Sequence, residues 1–334
     1  MENKSIFITG GAGYCGSKLV PQLLSKGYKV TVYDILFFTD NFLPKNENLQ
    51  IVNGDIRDYE KVKSFSKNHD IFINLACISN DASFELDENL STSINLDAFE
   101  PIVKVAKENK IRRFIYASSS SVYGVSDKPN VTEDHPLVPL TLYNKYKGMC
   151  EPILEKYIDN NFTGVTFRPA TVCGYAPRLR LDLSVNILTN HAINKNKITV
   201  FGGDQLRPNL HVNDYCDAVE VLINAPKDLV SGQKFNIGYQ NLSIMEIANL
   251  VKKVVEEEYP DKSNLEILTT KSDDNRSYHI NSDKVFKTLG FKPKFTIEDA
   301  VKSLCDAFKS NKIPNSFDDE IYFNVKRLKS LNAS

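Results

Sequence analysis

Tyr143 and Lys147 stand four residues apart in Leu142-Tyr-Asn-Lys-Tyr-Lys-Gly148. On a helix, positions i and i+4 share one face. A lysine ammonium, together with the pyridinium of an oxidised nicotinamide, lowers a phenol's pKa. That makes Tyr143 a candidate general base for oxidising an alcohol. A surface helix can carry the same Tyr–Lys spacing by chance, so the context decides. Upstream lies Ala117-Ser118-Ser119-Ser120-Ser121-Val122-Tyr123-Gly124, at the end of the apolar run 113–118. Hydroxyls at the C-terminal end of a parallel strand face the crevice where ligands bind. One can hydrogen-bond the reacting oxygen, and the others can cap turn backbone. The third element is Ile6-Phe-Ile-Thr-Gly10-Gly-Ala-Gly13-Tyr14-Cys15-Gly16, where Gly11-x-Gly13-x-x-Gly16 fits a dinucleotide fingerprint. Its first glycine permits a tight turn and its second lets backbone approach a pyrophosphate. Its third lets helix and strand pack, and the helix N-terminus faces the phosphates. Asp34 closes the run 29–34, 18 residues after Gly16. Its carboxylate can accept hydrogen bonds from an adenosine ribose and repels a 2′-phosphate. Ile35, Leu36, Phe37 and Phe38 follow it without a cation, so NAD is expected rather than NADP. A strand-ending Asp can also simply cap a turn.

The elements that must hold these groups can be read from apolar periodicity. Strand-like runs at 4–9, 29–34, 49–53, 70–76, 113–118 and 164–169 alternate with helical stretches near 14–26, 58–68, 86–109 and 140–160. This alternation predicts an α/β fold built on a Rossmann-type, doubly wound parallel sheet. Right-handed crossovers favour the strand order 3-2-1-4-5-6. After residue 170 the pattern loosens. Helices near 183–195, 213–224, 243–258 and 297–309 and short strands near 198–201, 234–238 and 265–268 predict a smaller C-terminal α/β substrate-binding lobe. The expected division is 1–170 for cofactor and 171–334 for substrate, with 200–240 partly returning to the first. The tail 311–334 is polar with a few aromatics and is expected either to pack on the lobe or to fray.

Composition excludes several classes. The chain has 334 residues and a net charge of −1, with 25% charged and 42% hydrophobic residues. No basic surplus points to nucleic acid or an anionic membrane. No apolar run reaches the ~18–20 residues of a membrane helix, and residues 1–9 lead directly into a strand, so a cytoplasmic chain without a leader is expected. Six cysteines are scattered without a CxxC spacing, which suits reduced thiols and no metal site.

Together these features resemble the extended short-chain dehydrogenase/reductases of the nucleotide-sugar epimerase/dehydratase group, over roughly residues 4–310. The match is carried by Gly10-x-x-Gly13-x-x-Gly16, Asp34, the serine-rich Val-Tyr-Gly segment and Tyr143/Lys147. The resemblance implies that Ser119, three before Val122, is catalytic with Tyr143 and Lys147. It puts Tyr14 and Cys15 of the glycine loop, Asp55 and Ile56, and Leu75, Ala76 and Cys77 at the cofactor, with Asn95 supporting the cofactor-side loop. The usual His before that loop is Asn74. For substrate it implies Ser119, Ser120, Thr171 (where the family often has Asn), the Leu183 backbone, and two diphosphate-binding arginines, Arg207 and Arg276. Fork-shaped guanidiniums suit a diphosphate, although each arginine could equally form a surface ion pair. Arg178 and Arg180 either reach the substrate or are solvated. The resemblance further implies a homodimer through a four-helix bundle of helices 86–109 and 140–160, and a role in polysaccharide biosynthesis.

Departures from the family pattern narrow the chemistry. Its 4,6-dehydratases place Asp-Glu directly after the catalytic hydroxyl residue, and decarboxylating relatives place Glu there. This chain has Ser120 and Ser121, and neither is a carboxyl acid or base. What remains is oxidation at a sugar C4. If the 4-keto sugar turns over and is reduced from its other face, the chain is a nucleotide-sugar 4-epimerase, the leading expectation. If the keto sugar leaves, it is a 4-dehydrogenase. A non-catalytic NAD-binding sensor or scaffold is the alternative from another class. Cys77, Cys173 and His211 are the only candidates for carbon-acid chemistry, and none has a supporting motif.

Overall fold

The computed structural model describes residues 4–126, 128, 130–271 and 277–331. The strands are β1 (Ser5–Thr9), β2 (Lys29–Asp34), β3 (Leu49–Asn53), β4 (Ile71–Asn74), β5 (Arg113–Ala117), β6 (Thr163–Pro169), β7 (Thr171–Cys173), β8 (Lys197–Phe201), β9 (Leu206–His211), β10 (Lys234–Ile237), β11 (Gln240–Ser243) and β12 (Glu266–Thr270). The helices are α1 (Gly16–Ser25), α2 (Tyr59–Phe65), α3 (Asp81–Phe84), α4 (Glu88–Thr92), α5 (Phe99–Glu108), α6 (Leu142–Glu155), α7 (Ser184–Lys195), α8 (Val212–Asn224), α9 (Lys227–Val230), α10 (Ile244–Glu258), α11 (Asp283–Leu289), α12 (Ile297–Lys309) and α13 (Asn324–Ser330).

The main sheet has the order β10-β6-β5-β4-β1-β2-β3, and every neighbouring pair is parallel. This is the expected 3-2-1-4-5-6 order with β10 added beyond β6. Alternation along β1 explains the two layers that cover the sheet. Ile6 and Ile8 face one core with α1 and α8, while Phe7 faces the other with α5 and α6. On that second side Phe72 and Phe114 stack at 4.8 Å between ring centroids. Helix α8, in the 200–240 stretch expected to return partly to the first domain, packs on α1 against the sheet: Cys216, Val219 and Leu222 are buried in the first core.

The lobe core joins α7, α10 and α12 to β8. Two small sheets complete it, β11-β9-β7 and β12-β8. The sequence showed no sign of β7, β9 or β11, because they are short, polar and without alternation. The single helix expected over 86–109 is broken into α4, a π-helical turn at Ser93–Asp97, and α5. π-turns of this kind recur at functional sites, and Asn95 lies inside this one.

The described part of the tail first packs on the lobe, where Ser316 Oγ donates to Asn190 Oδ1 of α7 at 2.7 Å, and then leaves it. Tyr322 belongs to the junction core with Tyr14, Leu179 and Leu181. Leu328 of α13 is buried in the core beneath α5 and α6, and Arg327 Nε donates to Phe37 O at 2.6 Å. Residues 320–331 therefore cross from lobe to main sheet. No helix among the described residues is long and apolar enough to cross a membrane.

Candidate active site

One cavity of about 900 Å³ runs along the C-terminal ends of β1, β2, β4, β5 and β6 and under the lobe. One end of it is built by β2 and its loop. Asp34 Oδ1 accepts from Leu36 N at 2.9 Å and Oδ2 from Ala12 N at 3.0 Å. The carboxylate therefore caps its turn and ties the glycine loop. A carboxylate has about four acceptor positions, so two remain for a ribose. Burial raises its pKa, and these two backbone bonds oppose the rise. Asp55 and Ile56 line the same end. Asp55 is held by Arg57 (Nη2 to Oδ2, 2.6 Å), which lowers its pKa against the effect of burial.

The glycine loop fits a dinucleotide. Gly10, not Gly11, makes the turn: its φ is +73°, and a Cβ there would lie 2.6 Å from Ala76 N. Gly11 packs on Val32 instead. A Cβ on Gly16 would lie 2.2 Å from Gly11 O. Gly13, Tyr14 and Cys15 open onto the cavity above the α1 N-terminus, whose first N–H groups lack intrahelical partners. Leu75, Ala76 and Cys77 form the facing wall. Asn95 does not reach the cavity. It clamps the loop after that wall, accepting from Ile78 N at 2.8 Å and donating to Ile78 O at 2.9 Å.

At the other end, β5 and α6 bring Ser119, Tyr143 and Lys147 to the cavity surface. Thr141 caps α6 by accepting from Asn144 N, which sets the phase of the helix. Ser119 and Ser121 share a hydrogen bond at 2.7 Å, and Ser121 Oγ donates to Asn144 Oδ1. Ser121 and Asn144 line the cavity, and Asn144 Nδ2 is buried without a partner. Neither residue stood out in the sequence. Ser120 must be corrected: it is 1% exposed, turned into the core 3.4 Å from Tyr278 OH, and absent from the cavity wall.

Lys147 Nζ donates to Ala117 O at 2.8 Å. Burial pushes the Tyr143 hydroxyl well up, Cys77 and Asp81 add to that, and the cation that pulls it down is Arg180. Arg180 and Arg178 are not solvated. They are 8% and 2% exposed, line the cavity, and keep Arg180 Nη2 and Arg178 Nε buried without partners. Arg180 Nε donates to Asp182 Oδ1 at 2.8 Å.

Thr171, Leu183 and Arg207 line the lobe side of the cavity, where Leu183 precedes the N-terminus of α7. Arg276 lies outside the described residues. Cys173 is buried on Leu210 O, and His211 caps α8 against Phe295 with its pKa pushed down to about 4 by burial. Both are off the cavity wall, which leaves only Cys77 of the three carbon-acid candidates on it.

The sequence model described as "NAD dependent epimerase/dehydratase family" matches residues 6–238. Low-salt glycan biosynthesis protein Agl12 of Haloferax volcanii is 28% identical, over 91% of this chain and 98% of its own. A dTDP-glucose 4,6-dehydratase of Actinoplanes sp. is 24% identical, over 92% and 98%. Among solved structures, the UDP-glucuronic acid 4-epimerase of Bacillus cereus in complex with UDP-glucuronic acid and NAD superimposes with a TM-score of 0.81. It is 24% identical and covers 92% of this chain and 99% of that one.

Proposed function

The chain belongs to the NAD-dependent epimerase/dehydratase family, and on that premise we propose that it is a nucleotide-sugar 4-epimerase acting through transient oxidation at C4. Its cofactor is NAD, consistent with the glycine cradle and the two free acceptor positions of Asp34. Bound NAD supplies the acceptor, and then the donor, of the hydrogen at C4 with its electron pair. Tyr143 takes the C4 hydroxyl proton and later returns it to the 4-keto oxygen. Ser119 hydrogen-bonds that oxygen, and Lys147, fixed on Ala117 O, stands beside the cofactor. Thr171, the Leu183 backbone and Arg207 hold the substrate, a nucleoside-diphosphate sugar such as the one bound by the Bacillus cereus relative.

The observation that carries 4-epimerisation over 4,6-dehydration is the pair of residues after Ser119. Ser120 is buried in the core, and Ser121 is tied to Ser119 and Asn144. Neither position offers the carboxyl that dehydration across C5 and C6 needs. The test is a panel of UDP-, GDP-, CDP- and dTDP-sugars with substoichiometric NAD, followed by proton NMR. A C4 epimer formed beyond the NAD supplied is the expected result. A 4-keto product limited to the NAD supplied would make the chain a dehydrogenase, and no conversion would favour the sensor.

The position of Arg180 gives a second expectation. Removing its cation by Arg180→Leu raises the Tyr143 pKa. The rise of kcat with pH should therefore move to higher pH by about one unit, and Arg180→Lys, which keeps the cation, should stay close to the parent profile. An unchanged profile would remove Arg180 from the role.

A further inference from the structure

Arg178 is not explained by substrate chemistry. It comes from the segment between β7 and α7, yet it sits on the cofactor side of the cavity. Its backbone N donates to Ser17 Oγ in the first turn of α1 at 3.1 Å, and its guanidinium lies 3.6 Å above the Phe38 ring after β2. Nη2 donates to Asn324 Oδ1 at 2.7 Å, and Asn324 also donates to Ser79 Oγ at 2.8 Å. The groups it senses are Arg180, Asp182, Asp34 and Cys15, and burial and Arg180 bring its pKa down to about 9. It thus lines the cavity with both Asp34, the group placed for the adenosine ribose, and Arg180, against the first turn of α1 and the loop after β2. On a dinucleotide, what meets the first turn of that helix is the diphosphate. Arg178 and Arg180 each keep one buried N–H unpaired, and such a donor is costly until an acceptor meets it.

We propose that Arg178 is a second anchor for the NAD diphosphate, added to the α1 N-terminus, and that the C-terminal segment holds it in place through Asn324. The planar fork suits a diphosphate bidentately, and stacking on Phe38 fixes its plane. The cofactor is then gripped by the main sheet, the lobe and the tail together. This suits an enzyme that reuses its NAD in place, but the inference rests only on NAD being bound and not on epimerisation.

The test is calorimetric titration of the full chain with NAD, ADP-ribose, adenosine and UDP, which needs no turnover. Arg178→Gln should weaken NAD and ADP-ribose together by roughly 10–100-fold and leave adenosine and UDP unchanged. Arg178→Lys keeps the charge without the fork and should fall between. Asn324→Ala, which leaves Arg178 itself intact, should weaken NAD about 3–10-fold. Unchanged NAD affinity in both Arg178 variants overturns the proposal. So does equal loss of adenosine, which would mean that the pocket has collapsed, or a loss confined to UDP, which would give Arg178 to the substrate. If Arg178→Gln does not fold, the lysine and Asn324 variants decide by the same criteria.

Discussion

Tyr143→Phe is expected to lower kcat by about 10²–10⁴-fold, the range for removing a positioned general base, while NAD still binds. The phenyl ring keeps the packing of the half-buried residue. Only the hydroxyl is lost, and with it the sole group on this face of α6 placed to exchange a proton at C4. Lys147 cannot substitute, because an ammonium donating to Ala117 O has no lone pair to take a proton. Ser119 cannot either, since an alcohol is a poor base. Mixing the variant with substrate and stoichiometric NAD should give no absorbance at 340 nm, with NAD affinity within about threefold of the parent. Full turnover in the variant would remove Tyr143 from the chemistry. Loss of NAD binding would instead make it a cofactor contact.

Much of this site was legible because it lies at strand ends, where apolar runs stop and chemistry-bearing residues begin. β1, β2 and β5 read clearly as buried parallel strands, so Gly10, Asp34 and Ser119 could be placed on one edge before any coordinates. What was not legible depends on side-chain direction or on distant segments. Ser119 and Ser121 face the cavity and Ser120 does not, because a 3₁₀ turn at Ser120–Tyr123 sets their directions. The sequence offered four serines with nothing to rank the last two. Lys147 was paired with Tyr143 by spacing alone, but its carbonyl partner and the position of Arg180 are tertiary facts. No cation follows Asp34 in the chain, and that the fold brings Arg178 near it from the lobe is likewise a tertiary fact. The small sheet β11-β9-β7 escaped because polar three- to six-residue strands carry no periodicity. The tail's return to the main sheet escaped because one leucine, Leu328, anchors it.

Glu151→Ala is expected to cost about 3–5 kcal/mol of stability, since it strands a buried cation. Arg168 and Glu151 are 2% and 1% exposed and pair through two bonds, Nε to Oε1 at 2.9 Å and Nη2 to Oε2 at 2.6 Å. Ser118 Oγ donates to the same carboxylate at 2.7 Å. Arg168 Nη1 donates to Tyr123 OH at 2.6 Å, and that hydroxyl donates to Asn236 Oδ1 at 2.7 Å. One network therefore ties the end of β5, helix α6, β6 and β10. Glu151 is one turn beyond Lys147 on α6, and Ser118 immediately precedes Ser119, so the network also fixes α6 against β5 at the point where the reacting groups meet. Against a total stability of roughly 5–15 kcal/mol, the loss should be plain in urea unfolding. Glu151→Leu with Arg168→Met removes both charges and should recover most of the stability, but not the register, so kcat should stay below the parent's. A single-variant cost under about 1 kcal/mol would mean that Arg168 finds another counter-charge. A double variant with full activity would mean that α6 is held in place by apolar packing alone, through Cys150 and Leu154.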